Sequence, residues 1–275
     1  MTRFWGCFWR AVGRVWPACV TQAQAVAFNM FLAFFPMLLL VLGFVSSWSF
    51  LRGGIEIMVN SLDRSMPPGT AAVLRDFLAV HAVHPWSWAS LGLVGTLLAG
   101  TQMMRLLIEG FHIAHRIERP GVFGQIFRSL VLLIVALAPT VLAIALTVFG
   151  KQLRVTMTQQ FGYPVIIRVL VAVSLSLVAL VLAMFVLAVV YRVGTRDVRN
   201  WREVMPGAIL ATVMWWVASW LFGVYMRHVP YNLVYGGLAT AIGLMLWMNF
   251  TAIIILLGSA YNAEYCTVTR NGRPA

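Results

Sequence analysis

Acidic residues are nearly missing from this chain. Asp and Glu number 8 in 275 residues, and charged side chains of every kind make up only 10%. A soluble domain carries about 25%. With so few polar side chains the chain cannot cover a water-facing surface, so a soluble globular enzyme is excluded. Lysine is scarcer still, Lys151 being the only one. Cysteine is rare. Cys7, Cys19 and Cys266 sit near the two ends with no CxxC spacing, which excludes a disulfide-stapled secreted domain and reads as buried or interfacial thiols. No G-x-S-x-G, phosphate-loop or dinucleotide fingerprint occurs. The apolar runs show no period-2 alternation, which argues against a membrane barrel.

What is present is apolar sequence, 61% hydrophobic in all, broken by clustered charge. No formal charge occurs between Arg14 and Arg52, Asp76 and Arg105, Arg128 and Lys151, Arg168 and Arg192, Glu203 and Arg227, or Arg227 and Glu264. A spanning helix needs about 20 mostly apolar residues, and each gap can hold one. The expected spans are Ala25–Phe50, Ser87–Leu107, Ser129–Phe149, Val169–Tyr191, Val204–Met226 and Tyr235–Tyr261. The fold class is therefore all-α: a polytopic membrane protein with six transmembrane helices and an N-terminal interfacial amphipathic helix. Its expected parts are a cytoplasmic interfacial helix over 1–24, a six-span domain over 25–263 with a periplasmic loop at 51–85, and a cytoplasmic tail over 264–275.

Orientation follows from the basic residues. The N-terminal segment, the second and fourth loops and the tail hold 13 of them, the opposite side 7. That excess places both termini in the cytoplasm. The formal net charge of +12 thus reads as membrane address before affinity for nucleic acid. Along the first 16 residues, Arg3, Arg10 and Arg14 fall within about 40° on a helix advancing about 100° per residue. They oppose a broad face carrying Trp5, Trp9 and Trp16, the pattern of a helix lying in the membrane interface. A signal peptide is the rival reading, helped by Ala23-Gln24-Ala25, but the three arginines interrupt its apolar core. In the first external loop, Ile55, Met58, Val59 and Leu62, then Val73, Leu74, Phe77 and Leu78, predict two short helices separated by Pro67-Pro68-Gly69.

None of the acids falls in the middle of an expected span, which argues against a buried carboxylate proton relay. Glu109, His112 and His115 form E-x-x-H-x-x-H, but the three converge poorly on a helix; His81 and His84 repeat the spacing elsewhere. No metal, cofactor or catalytic residue is assigned. The polar residues inside spans are more informative: Asn29, Gln102, Asn249 and Asn262, with Pro36 interrupting the first span and Pro139 in the third. Their default role is hydrogen bonding between helices; the sharper reading is a substrate path. Gly92, Gly95 and Ala99, and Gly236, Thr240 and Gly243, make small-residue packing faces. Tyr235, Gly236 and Gly237 open the last span as a candidate gate, since a helix break at membrane depth is tolerated only against protein or a watery cavity.

Several of these residues form a pattern that resembles the YihY/BrkB family of bacterial inner-membrane proteins. Trp201-Arg202 followed by Pro206-Gly207-Ala208 and Ala211-Thr212 is similar to that family's entry to the fifth span. Tyr225, then Tyr235-Gly236-Gly237-Leu238-Ala239, resembles its Y…YG-x-L-A element, and Trp247 with Gly258-Ser259-Ala260-Tyr261-Asn262-Ala263 resembles its closing G-A-E-L-N-A. Ala25 to Leu40 with Pro36, and Met104-Arg105 to Glu118-Arg119-Pro120, resemble earlier segments. Two positions depart: Ala260 stands where the family motif has an acid, and Glu109-Gly110 stands near the place of a usual asparagine. The resemblance implies six helical spans in the inner membrane and leaves the activity open. Members have been called ribonuclease BN, a name generally regarded as a misassignment; others are linked to serum resistance, and one relative to export of lipid A precursors.

The expectation is a protein that transports, or helps to export, an anionic lipid or envelope precursor. Arg105 and Arg119 would meet head groups, because guanidinium forks suit phosphate. Asn29, Pro36, Gln102, Tyr235, Gly236, Gly237, Asn249 and Asn262 would lie along its path. Alternatives are a non-catalytic envelope scaffold and a membrane enzyme using Glu109, His112 and His115. The expected partners are the bilayer and anionic phospholipid of its cytoplasmic leaflet. No nucleic acid is expected, and self-association into a homo-oligomer stays open.

Overall fold

The computed structural model describes residues 2–16, 18–47, 85–117, 121, 123–137, 165–195, 200–228 and 238–271. Every element among them is an α-helix: α1 (Thr2–Val15), α2 (Ala18–Ser47), α3 (Pro85–His115), α4 (Phe123–Leu137), α5 (Val165–Gly194), α6 (Trp201–His228) and α7 (Leu238–Asn271). Helices are what hydrocarbon demands, because each backbone N–H and C=O must find its partner within the segment. Five of these, α2, α3, α5, α6 and α7, are long and apolar enough to cross a membrane. They coincide with five of the six expected spans. The sixth, Ser129–Phe149, begins within α4, and its second half lies outside the described residues. So do the two short helices expected between Leu51 and His84, and the Tyr235-Gly236-Gly237 gate.

The helices outrun their apolar cores. α2 starts at Ala18 rather than Ala25, α3 continues past Leu107 to His115, and α7 continues past Tyr261 to Asn271. The stretch Ala18–Gln24 therefore belongs to α2. Composition hid this because polar residues such as Gln22 bond to neighbouring helices instead of water. α3 stops in a Schellman motif: Ile117 N–H donates to the His112 carbonyl at 3.1 Å, Arg116 N–H to that of Ile113 at 3.3 Å, and Arg116 takes the left-handed turn at φ 55°. Asn200 precedes α6, its carbonyl accepting from Glu203 N–H, and Glu203 places an acid in the first turn.

The chain divides into two compact units, one of Met30–Thr101 and one of Met1–Asn29 with Gln102–Ala275. In the first, residues 30–47 of α2 cross residues 85–101 of α3. Ala89, Gly92 and Gly95 line one stripe of α3. Gly43 lies against Ala89, Gly92 against the backbone of Leu40 and Pro36, and Gly95 against the Pro36 ring. The small-residue face expected at Gly92 and Gly95 is thus a packing surface, and it explains why the helix there carries no larger side chain. In the second unit α6 packs along α7, α5 along α6, and α1 against α7.

At Gly92 a Cβ would lie 2.8 Å from the Leu40 Cα and 2.8 Å from the Pro36 carbonyl oxygen. Both are backbone atoms that cannot swing away. Gly92→Leu is expected to lower the thermal midpoint of the detergent-solubilised protein, by a cost of about 1–3 kcal/mol or more. Leu91→Ala, at a position facing outward, should leave the midpoint nearly unchanged.

Candidate functional site

The most polar part of the buried interior lies where α6 begins and α7 approaches its end. Pro206 sits inside α6 and withholds one N–H from the helical ladder. The Asn262 side chain of α7 brackets that point. Its Oδ1 accepts from Gly207 N–H at 2.7 Å, and its Nδ2 donates to the Val204 carbonyl at 3.1 Å. Asn262 is 1% exposed. An amide in so dry a place needs partners for both ends, and it has them. Gly207 and Gly258 let the two backbones meet: a Cβ on Gly207 would strike the Gly258 carbonyl, and one on Gly258 would lie 2.8 Å from the Ala211 methyl and against the Tyr191 hydroxyl.

Tyr191, near the end of α5, closes the junction. Its hydroxyl donates to the Ile255 carbonyl of α7 at 2.8 Å, and its ring meets Phe111 of α3 edge-on at 5.5 Å. Gly110 of α3 lies under Leu256 beside Gln22 of α2, and Gln22 Nε2 donates to the Leu106 carbonyl at 2.8 Å. The starts of α2 and α6 and the ends of α3, α5 and α7 therefore gather at one end of this unit. Ser259 and Ala260 are fully buried. Glu264, one turn beyond Ala260 on the same side of α7, is buried as well.

α1 docks on this end through two small residues. Cys7 and Ala11 are buried, while Trp9 is 64% and Trp16 70% exposed, and Arg10 is exposed too. The protein-facing side of α1 thus runs between the arginine stripe and the aromatic face. Burial pushes the Cys7 thiol pKa up, nearby Glu264 pushes it the same way, and Arg10 opposes both.

The residues expected along a path are distributed as follows. Asn29, half-buried, spends its Nδ2 on its own helix at the Ala25 carbonyl, 2.9 Å away. Gln102 is exposed and Asn249 half-buried. Pro36 packs within the Met30–Thr101 unit on Gly95. Asn262 is committed to α6. Of the two head-group residues, Arg105 is half-buried and its carbonyl takes a long contact of 3.4 Å from Gln125 Nε2; Arg119 lies outside the described residues. His112 is buried, and Glu109 and His115 are half-buried. Among the described residues no group of three or more His, Cys, Asp or Glu side chains could hold a metal ion. Sequence reasoning missed Tyr191 and Gln22. In the sequence Tyr191 marks only the end of an expected span, while Gln22 falls within the expected interfacial segment 1–24.

Two predictions follow from this geometry. Asn262→Ala should cost about 1–3 kcal/mol, since it removes both bonds that tie α7 to the α6 backbone, to Gly207 N–H and to the Val204 carbonyl; Tyr191→Phe should cost about 1 kcal/mol. Unfolding of the purified protein in detergent measures both. Second, Cys7 should react slowly with a maleimide at neutral pH, and Ala11→Trp, which cannot fit where α1 meets α7, should speed the reaction, read by mass spectrometry of the Cys7 peptide. A raised thiol pKa favours the neutral, docked form. Its stabilisation is therefore full below the ordinary thiol range and is lost as pH rises through the raised value, so docking of α1 weakens in alkali.

Comparison with known proteins gives this bundle its relatives. YfkH of Bacillus subtilis (strain 168), named as ribonuclease-like, is 28% identical over 177 residues, 63% of this chain and 64% of that protein. A UPF0761 membrane protein of Xanthomonas oryzae pv. oryzae is 23% identical over 242 residues, 86% of this chain and 55% of the relative. Another from Xanthomonas axonopodis pv. citri is 23% identical, with 56% of its length covered. The chain thus spans about half to two thirds of the length of these relatives. No solved structure matches it. The profile of the family described as Virulence factor BrkB matches residues 17–274, from just before α2 to beyond the end of α7. That match takes in α2 to α7 and both halves of the Gly207–Gly258 junction, so this membrane protein belongs to the BrkB family.

Proposed function

We propose that the chain is a six-span protein of the bacterial inner membrane, with both termini cytoplasmic, that moves or helps to export an anionic lipid or envelope precursor. The observation that carries this reading is the character of the gathered helix ends. They hold Arg105, Arg192 and Arg202, and α1 docks beside them with Arg10, Trp9 and Trp16 turned outward. Tryptophan with arginine is the chemistry of a surface that meets charged head groups at the edge of an apolar layer. The excess of basic residues on the same loops supports the cytoplasmic assignment of that end. The reading contains no catalytic step. Cargo would contact Arg105 and Arg119 first and then the amides of Asn29, Gln102 and Asn249.

A scaffold role is the second reading, and one observation favours it: Asn262 is wholly occupied in holding α6 to α7. The two separate in proteoliposomes. Transport predicts protein-dependent movement of fluorescent anionic lipid between leaflets, reduced by Arg105→Gln with Arg119→Gln. No movement and no binding across a broad panel of anionic lipids would overturn it.

A further inference from the structure

On the outer side of the α5–α6 pair runs a groove of about 170 Å³, lined by Leu180, Val181, Met184, Ile209, Val213 and Trp216 over a floor at Thr212. Its one hydroxyl is already used, because Thr212 Oγ1 donates to the Ala208 carbonyl at 2.8 Å. The groove therefore offers no polar contact and suits a hydrocarbon chain. One end is different. Trp201 stacks on Phe185, the residue next to Met184, with ring centroids 6.0 Å apart and planes 14° apart. The Arg192 guanidinium lies 4.4 Å from the centre of the same indole. Arg202, the next residue, is exposed. From Met184 to Arg192 along α5, or from Ile209 to Arg202 along α6, the rise is about 10–12 Å.

We propose that this groove and its basic end form a binding site for one anionic glycerophospholipid, an acyl chain lying in the groove and the phosphate at Arg192 and Arg202. The indole holds the Arg192 guanidinium by a cation–π contact, so its planar donors are ordered before a ligand arrives. Phe185 in turn fixes the indole. Among the described residues at this end, Arg202 is exposed, while Glu203, the acid adjoining it, is half-buried in the first turn of α6. Lipid rather than a second copy of the chain is the occupant, because the apolar groove ends in cations. That sequence matches the chain and head of an anionic lipid, whereas a like copy would bring the same arginines against these. The site shares Arg192 and Arg202 with the surface on which the transport reading rests, but it asks only for binding.

Native mass spectrometry of the purified full chain tests it, with phosphatidylglycerol and phosphatidylcholine of matched acyl chains as probes. The expected result is preferential retention of one phosphatidylglycerol. Arg192→Gln and Arg202→Gln should each weaken that retention roughly fivefold. Val213→Trp, which fills the groove from an exposed position, should displace both lipids, and Ile209→Phe serves if that variant does not fold. Equal retention of the two lipids, or retention of phosphatidylglycerol unchanged by either arginine substitution, would overturn the proposal. A dimer that forms on delipidation and is lost in Val213→Trp would overturn it in favour of a second copy. Lipid movement in vesicles that persists while this retention is lost separates the site from the proposed transport path.

Discussion

Two apolar helices in hydrocarbon gain little by hiding from a solvent as apolar as themselves, so close contact and hydrogen bonding must hold them together. In this protein that condition is met where Gly207 of α6 faces Gly258 of α7. The absent side chains let one backbone touch the other, and Asn262 then reaches across to satisfy a donor and an acceptor on either side of Pro206. The rest of the junction depends on this approach. Only with α6 drawn in does Ala211 reach Gly258, and the Tyr191 hydroxyl, bonded to Ile255, fills the space beside that glycine. Phe111 and Gly110 then bring the end of α3 and the start of α2 into the same cluster.

The same device is used twice, with different chemistry. Between α2 and α3, Ala89, Gly92 and Gly95 receive Gly43, Leu40 and the Pro36 ring, and no amide is involved. There a proline serves as a packing surface for glycine; around Pro206 a buried amide bonds the backbone on either side of the proline. Packing at the helix ends also shapes what faces outward. α1 is held by the small residues Cys7 and Ala11, which leaves Trp9 and Trp16 exposed. At the end of α5, Phe185 and Trp201 form the platform on which Arg192 rests. Aromatic and basic groups are thereby set in place at the boundary between apolar spans and their loops.

Much of the architecture was legible in the chain. The long gaps between charges located the five long helices, because a charge in hydrocarbon is costly and its absence over about 20 residues is a strong sign. The small-residue face at Gly92 and Gly95 was also readable. Helix ends were not: Gln22 and Asn262 are polar enough to suggest loops, yet lie in helices where backbones of neighbouring helices take their hydrogen bonds. The amides singled out as a path illustrate the same limit. Asn29 and Asn262 have the same composition signal, but one bonds to its own turn and the other joins two helices.

By itself, then, the sequence determined the class, the rough placement of the five long helices described, and the lopsided basic charge, since each depends on local composition against a bilayer of fixed thickness. Tertiary structure alone decided which residues meet. Pro206-Gly207 and Gly258 to Asn262 are far apart in the chain, and nothing in either segment states that one will bond the other. The groove between α5 and α6 likewise exists only once two separate helices pack. The physical reason is that hydrophobicity has no direction and is readable one residue at a time, whereas a hydrogen bond or a backbone contact depends on two positions that folding must bring together.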